Sequence, residues 1–262
     1  MILLSFDIEE FDMPFEYGRT IDFSEQISVS KEGTKAILKI LRKNNIKATF
    51  FSTVIFAQNA PELLQEIVND GHEIASHTYY HSTFEVADLK KSKLALEQQT
   101  ATKVTGFRMP RMQPVDEKEI YKAGYTYNSS INPTYLPGRY NNFNKPRTFF
   151  YEQGVLQIPA SVTPIIRFPL FWLTFHNLNL KLYFWLCQWT LKTDGYLNIY
   201  FHPWEFTDLN NKEKYNFPDY VSRNTGTKMS NKMDLFITKM KRKKHHFGTF
   251  QEFIATKIKI NE

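Results

Sequence analysis

Short strand-like segments alternate with longer amphipathic ones along most of this sequence, and that alternation limits the architecture more than any other feature. Residues 2–6 (ILLSF) form an apolar run of the kind that makes a buried strand. Residues 47–52, 72–76, 104–107, 125–129, 157–162 and 197–201 read as further strands. Helices are predicted between and beyond them. One spans 31–44, with Ser30 as its N-cap. A second opens at Pro61 and is closed by Gly71. Others cover 85–99, 115–123, about 231–243 and, near the end, 250–257. Residues 9–28 read as an irregular polar and aromatic stretch. Strands that alternate with helices build a parallel α/β sheet or barrel, whose chemistry gathers at the C-terminal ends of the strands.

Composition narrows this further. The 262 residues match one α/β barrel of about 250 residues. A 42% hydrophobic and 16% aromatic content excludes a disordered or low-complexity chain. Lys and Arg (33) exceed Asp and Glu (27) by 6, which permits an anionic partner without naming one. The lone cysteine, Cys187, cannot form an internal disulfide, so a reducing compartment, the cytoplasm, is expected. The start Met1-Ile2-Leu3-Leu4 lacks a basic region and is soon interrupted by Asp7, so no secretory signal is expected. No apolar window reaches a membrane-spanning length.

Four segments carry chemistry, and each falls at or just after a predicted strand end. In Asp7-Ile8-Glu9-Glu10, strand alternation puts Asp7 and Glu9 on one face and turns Ile8 away. In Ser76-His77-Thr78-Tyr79-Tyr80-His81, the two histidines have a metal-pair spacing and share a face if the segment is helical. Arg108, in Gly106-Phe107-Arg108-Met109-Pro110-Arg111, can pair with a buried carboxylate and hold it ionised. His202, in Tyr200-Phe201-His202-Pro203-Trp204-Glu205, reads either as a satisfied core histidine or as an acid–base group in a partly desolvated pocket. One carboxylate with two histidines forms a three-ligand metal site. A second carboxylate and a separate histidine then remain for acid–base work, the equipment of metal-assisted hydrolysis.

In this order the motifs resemble the polysaccharide deacetylase family, the NodB-homology carbohydrate esterases. The acidic strand end at Asp7 comes first, then S-H-T-x-x-H at 76–81, R-x-P at 108–110, Tyr-x-Ser-Ser at 127–130 and the late strand ending in His202. The FDIEE start and FHPWE ending resemble a branch found in surface-glycan gene clusters. The resemblance implies a distorted (β/α) barrel of about seven parallel strands. It also implies removal of acetyl groups from N-acetylated, or less often O-acetylated, sugars. By the same resemblance Asp7 is the catalytic base, Arg108 orients it, His202 is the general acid, and His77 and His81 bind a metal, usually zinc, sometimes cobalt or nickel.

Two departures stand out. The family usually has a second Asp directly after the base, where this chain has Ile8. Strand alternation favours Glu9 as the metal carboxylate, with Glu10 or Asp12 brought in if the chain bulges or turns. The residue after R-x-P is usually aromatic and offers its backbone N–H to an oxyanion; here it is Arg111, which makes that wall cationic. Arg111, Tyr127 and Trp204 are the candidate substrate contacts.

The motifs run from residue 7 to residue 202, so one site needs nearly the whole chain, and residues 1–262 are expected to form a single catalytic domain. The aromatic stretch 168–189 reads as a loop and barrel helix packed on the core, or as a surface touching membrane, which would suit a lipid-linked sugar substrate at the inner face of a membrane. The basic run 239–246 reads as a solvated helix face; no nucleic-acid module accompanies it, and no nucleic-acid partner is expected. The competing functions are a cyclic amide or imide hydrolase of the same fold and a non-catalytic glycan-binding protein.

Overall fold

The first strand organises everything else. In the computed structural model, which describes residues 1–258, β1 (Ile2–Ile8) is buried along its whole length. It pairs in parallel with β2 (Thr49–Ser52) on one side and with the late strand Leu197–Phe201 on the other. A strand covered on both faces and both edges has no polar side to show, which is why it reads as a continuous apolar run.

The sheet continues in parallel through β3 (Glu73–Ser76), β4 (Gly106–Phe107) and β5 (Tyr127–Asn128). A two-stranded hairpin, β6 (Tyr135–Leu136) and β7 (Tyr140–Asn141), stands apart from it. β8 (Phe150–Glu152) turns back antiparallel onto β9 (Val155–Gln157), and Leu197–Phe201 is β10. The order is β10-β1-β2-β3-β4-β5-β9-β8, with all but the β8 edge parallel. The two ends of the curl meet beyond β9. There Ser161 N–H donates to the Asn198 carbonyl at 2.8 Å, and the Asn198 side-chain amide reaches the carbonyls of Ile158 and Pro159 at 3.1 and 3.0 Å. The expected mixed α/β architecture with a curled, mostly parallel sheet is thus present.

Alternation along the strands sorts two cores. Ile2, Leu4, Phe6 and Ile8 face outward into the helical layer with Phe50, Ile74 and Phe107. Leu3 faces inward, where Phe51, Ala75, Tyr127 and Leu156 fill the barrel and Phe250 and Phe253 close its base. Ser5 and Asp7 continue the inward column of Leu3, so the column becomes polar towards the C-terminal end of β1.

The elements differ from expectation in several places: the strand expected over 157–162 lies at Val155–Gln157, and a short helix, Met13–Glu16, interrupts the stretch expected to be irregular. The helix expected over 31–44 spans Phe23–Asn44, and Ser30 lies buried in its interior rather than capping it. The Ser30 hydroxyl instead donates to the Glu9 carbonyl at 2.5 Å, so its partner comes from another strand end and not from its own helix. Three residues on, Gly33 lies against the chain after β10: a Cβ there would sit 1.9 Å from the Pro203 carbonyl oxygen. The terminal helix expected over 250–257 is a short helix, Phe250–Phe253, followed by a wider π turn at Ile254–Ile258.

The aromatic stretch 168–189 forms the helix Trp172–Asn177 and most of the helix Leu180–Asp194. It buries Phe175, Tyr183, Leu186 and Cys187 and leaves Leu182 and Trp185 exposed. Among the described residues no helix is long and apolar enough to cross a membrane.

Candidate metal centre and active site

The strand register places the chemistry. Ser52, Ser76 and Phe107 are paired across β2, β3 and β4, so the residues that follow these strands emerge at one end of the barrel. The ladder runs one step further: His77 N–H donates to Ser52 O, Arg108 N–H to Ser76 O and Ser129 N–H to Phe107 O. Glu9, His77, Arg108 and His202 each follow such a strand end.

Glu9, His77 and His81 converge, with ligand atoms all within 4.8 Å of one another. The Nε2 atoms of His77 and His81 lie 3.0 and 3.2 Å from Glu9 Oε2, yet that buried oxygen has no hydrogen-bond partner. The other ring nitrogens explain why. His77 Nδ1 is 2.8 Å from the Arg108 carbonyl, and His81 Nδ1 is 2.8 Å from Asp12 Oδ1. An Nδ1–H of His77 directed at the Arg108 carbonyl leaves its Nε2 as a bare lone pair aimed at a carboxylate, while Asp12 meets His81 Nδ1 at ion-pair distance without hydrogen-bond geometry. Burial pushes the Glu9 carboxyl up to about 7 and the His77 imidazole down to about 4. Three lone-pair donors gathered in a buried space suit a divalent cation, with a carboxylate and two imidazoles as its protein ligands.

The histidines do not share a helix face. They sit on the loop after β3, and Thr78 adopts a left-handed conformation with φ 68°. That loop is fixed from below: Val54 N–H and Ile55 N–H, opening the helix Val54–Asn59, donate to the Thr78 and Tyr79 carbonyls. The three acidic candidates separate by their partners. Glu10 accepts from the Thr53 hydroxyl at 2.5 Å and from His81 N–H at 3.3 Å, so it holds the loop. Asp12 sits behind His81. Only Glu9 of the three belongs to the convergent set.

Asp7 lies beside this set, paired with the fully buried Arg108 at 2.6 Å. Arg108 also donates to Ser5 Oγ, to the Ser129 carbonyl and to Ser129 Oγ, and it lies 4.0 Å over the Phe51 ring. Burial alone would raise the Asp7 carboxyl, but the charge and hydrogen bond of Arg108 and the charge of His202 outweigh it and hold it below the usual carboxylate range.

His202 faces Asp7 from β10, with Nε2 4.0 Å from Asp7 Oδ2. Its ring stacks on Trp204 at 5.2 Å and meets the edge of Trp172 at 5.8 Å. Burial opposes its protonation. A hydrogen bond to Glu205 and the negative charges of Glu9, Glu205 and Asp7 outweigh that and push the imidazole up to about 9. Glu205 is a residue that sequence reasoning missed. Its carboxylate reaches both the backbone N–H (2.6 Å) and the Nδ1 (3.0 Å) of His202. The spacing of three residues between them, a capping-box interval, was the available signal.

The remaining candidates divide. Trp204 lines the cleft above the site, together with Met13, Tyr17, Leu136, Arg139 and Trp172. Arg111 lines it too, but its donors are taken: they bond to the His81 carbonyl, Asp12 and Glu16 at 3.1, 3.0 and 2.9 Å. It braces the His81 loop rather than presenting a free cation. Tyr127 does not reach the cleft. It is fully buried inside the barrel, where its hydroxyl donates to Glu73 at 2.7 Å. Ser129, two residues on along the same face, is the one that rises to the Arg108 level. Tyr140 and Tyr200, bonded through Asn132, line the cleft, as do Tyr17 and Tyr220.

Comparison with known proteins agrees with this geometry. Residues 4–127 match the polysaccharide deacetylase family model. Short stretches of the chain also resemble curated relatives. A peptidoglycan-N-acetylglucosamine deacetylase of Bacillus cereus is 44% identical over 50 residues, which is 19% of this chain and 18% of the relative. Across the curated relatives, the matched stretches span 18% to 30% of the relatives' own lengths. Among solved structures, a probable polysaccharide deacetylase from Pseudomonas aeruginosa PAO1 superposes with a TM-score of 0.63 at 15% identity, covering 98% of this chain and 91% of that one. An allantoinase superposes with a TM-score of 0.63 at 15% identity, covering 98% and 90%. At these identities the solved structures establish the fold. The polysaccharide deacetylase match runs from within β1 to the first residue of β5, and therefore includes Asp7, Glu9, His77, His81 and Arg108, but stops short of His202.

Proposed function

We propose that this chain is a metal-dependent hydrolase that removes acetyl groups from N-acetylated sugars of a cell-surface polysaccharide or its precursor. The observation that carries the reading is the convergence of Glu9, His77 and His81 beside an Arg108-held Asp7, with His202 opposite. Relatives named as polysaccharide deacetylases support the substrate class.

A divalent metal held by Glu9, His77 and His81, with zinc the proposed ion, would supply Lewis-acid polarisation of the acetyl carbonyl and a more acidic water. Asp7 takes a proton from the attacking water as its oxygen adds to the carbonyl carbon. Arg108 keeps Asp7 ionised for that step. The backbone N–H of Arg111, which turns through a left-handed conformation (φ 54°), is the proposed donor to the developing oxyanion. The carbon–nitrogen bond then breaks. His202 passes its proton to the departing amine, giving acetate and a free amino sugar. Trp204 and the cleft wall position the sugar ring.

We place this activity in the cytoplasm. The proposed substrate is a free or lipid-linked precursor, and the exposed Leu182 and Trp185 are the proposed site of any peripheral membrane contact. The test is acetate release from a panel of free, nucleotide-linked and lipid-linked N-acetyl sugars, with and without a chelator, alongside a cyclic amide. Chelator-sensitive acetate release is the expected result. Ring opening of the cyclic amide without acetate release, or stoichiometric metal uptake with no turnover of any substrate, overturns the reading.

A further inference from the structure

Behind His202 lies a second histidine that the reaction does not call on. His176, on the helix Trp172–Asn177, places Nε2 2.8 Å from Glu205 Oε2, and both side chains are wholly inaccessible. Glu205 Oε1 is meanwhile occupied by the His202 backbone N–H and ring Nδ1. The carboxylate therefore bridges two imidazoles, one on each oxygen.

Such an arrangement is costly for a fold. Burying a carboxylate against an imidazole loses hydration that packed apolar side chains of similar volume would not lose, so stability alone does not account for it. The hydrogen-bond inventory shows what it achieves. A carboxylate only accepts, so both rings must donate to it. His176 is then in its Nε2–H form, consistent with a buried Nδ1 that has no partner. His202 must donate through Nδ1–H, which leaves its Nε2 as the atom facing Asp7. Without His176, Glu205 Oε2 would be a buried acceptor lacking a donor, and the carboxylate would be free to rotate away from His202.

We infer that His176 is a positioning residue: by holding Oε2 of Glu205 it keeps Oε1 on His202, and so decides which His202 nitrogen faces the cleft. The inference rests on the proposed function only for the role of His202 as acid. The other groups facing this array are Asp7 and Glu9, which bear on His202 from the end of β1, and Tyr183, which bears on Glu205. Asn224 Nδ2 and Lys232 Nζ donate to the His176 carbonyl rather than to its ring.

The test is nitrogen-15 NMR of the histidine rings in the full chain. The wild-type protein should show His176 as the Nε2–H tautomer and His202 with a hydrogen-bonded Nδ1–H. His176→Phe removes the donor and should lower the His202 titration midpoint by about one pH unit. His176→Gln, whose amide can still donate, should restore it. In turnover, the alkaline limb of kcat/KM should move with the NMR midpoint while KM stays unchanged. A His176 ring found as the Nδ1–H tautomer overturns the inference even if neither variant folds. So does a folded His176→Phe protein with an unmoved His202 titration. Because the NMR readout needs no substrate, a chain that releases no acetate would refute the proposed function and leave this inference to be decided separately.

Discussion

Arg108 Nη1 lies 2.6 Å from Asp7 Oδ1, and neither side chain has meaningful access to water. A buried guanidinium deprived of its carboxylate, or the reverse, is an uncompensated charge. Arg108→Met is therefore expected to destabilise the protein by about 3–5 kcal/mol, read from urea unfolding. Asp7→Asn keeps the shape and a weaker hydrogen bond. It should abolish acetate release while leaving metal uptake intact, measured by calorimetry with zinc. Loss of metal binding in Asp7→Asn would move Asp7 from base to ligand.

Asp12 Oδ1 lies 2.8 Å from His81 Nδ1, and Asp12 is in turn bridged by Arg111. Removal of such outer partners weakens metal sites without deleting a ligand. Asp12→Ala should lower zinc affinity by about 10–100-fold, whereas His77→Ala or His81→Ala should abolish stoichiometric binding. A His77→Ala protein that still binds one zinc per chain at wild-type affinity contradicts the ligand set.

His202 gives a stability signature with a definite sign. Its folded-state pKa is raised, from an ordinary 6.5 to about 9. Its contribution is therefore fully present below about pH 6.5 and fades as pH rises through about 9. Unfolding free energy should decline across that window in the wild-type protein and decline less in His202→Gln. Parallel pH profiles for the two proteins would show that Glu205 does not hold a charged His202.

Gly33 touches the chain that carries His202 and Glu205. An added Cβ would lie 1.9 Å from the Pro203 carbonyl oxygen, so the helix Phe23–Asn44 and the 203–206 turn would have to separate. Gly33→Ala should cost about 1–3 kcal/mol by thermal unfolding, with a fall in kcat larger than any rise in KM. An unchanged melting temperature would mean that the turn yields freely.

Much of the fold was legible because its signals are local. β1 announces itself as an apolar run because both of its faces are covered, and Pro61 and Gly71 bracket a helix by fixed backbone preferences. Ser30 misled because a serine at a helix start and a serine bonding sideways to Glu9 look alike in sequence. Tyr127 misled through depth: alternation gives the face of a strand but not the level along the barrel at which a side chain sits. Glu205 and His176 are 29 residues apart, and no short-range pattern joins them.

The sequence by itself determined the residue types and their order: acidic strand end, paired histidines, strand-end arginine, late histidine, and strands spaced to deliver them to one end of a barrel. It also determined, by alternation, that Asp7 and Glu9 share a face. Only the tertiary structure decided which acid joins the two histidines, which merely braces them, and that Arg111 is spent on Asp12, Glu16 and the His81 carbonyl. The reason is physical. A side chain's role here depends on which donors, acceptors and charges surround it after burial, and those neighbours come from strands and loops far apart in the chain, as Asp7 and Arg108 are at 101 residues.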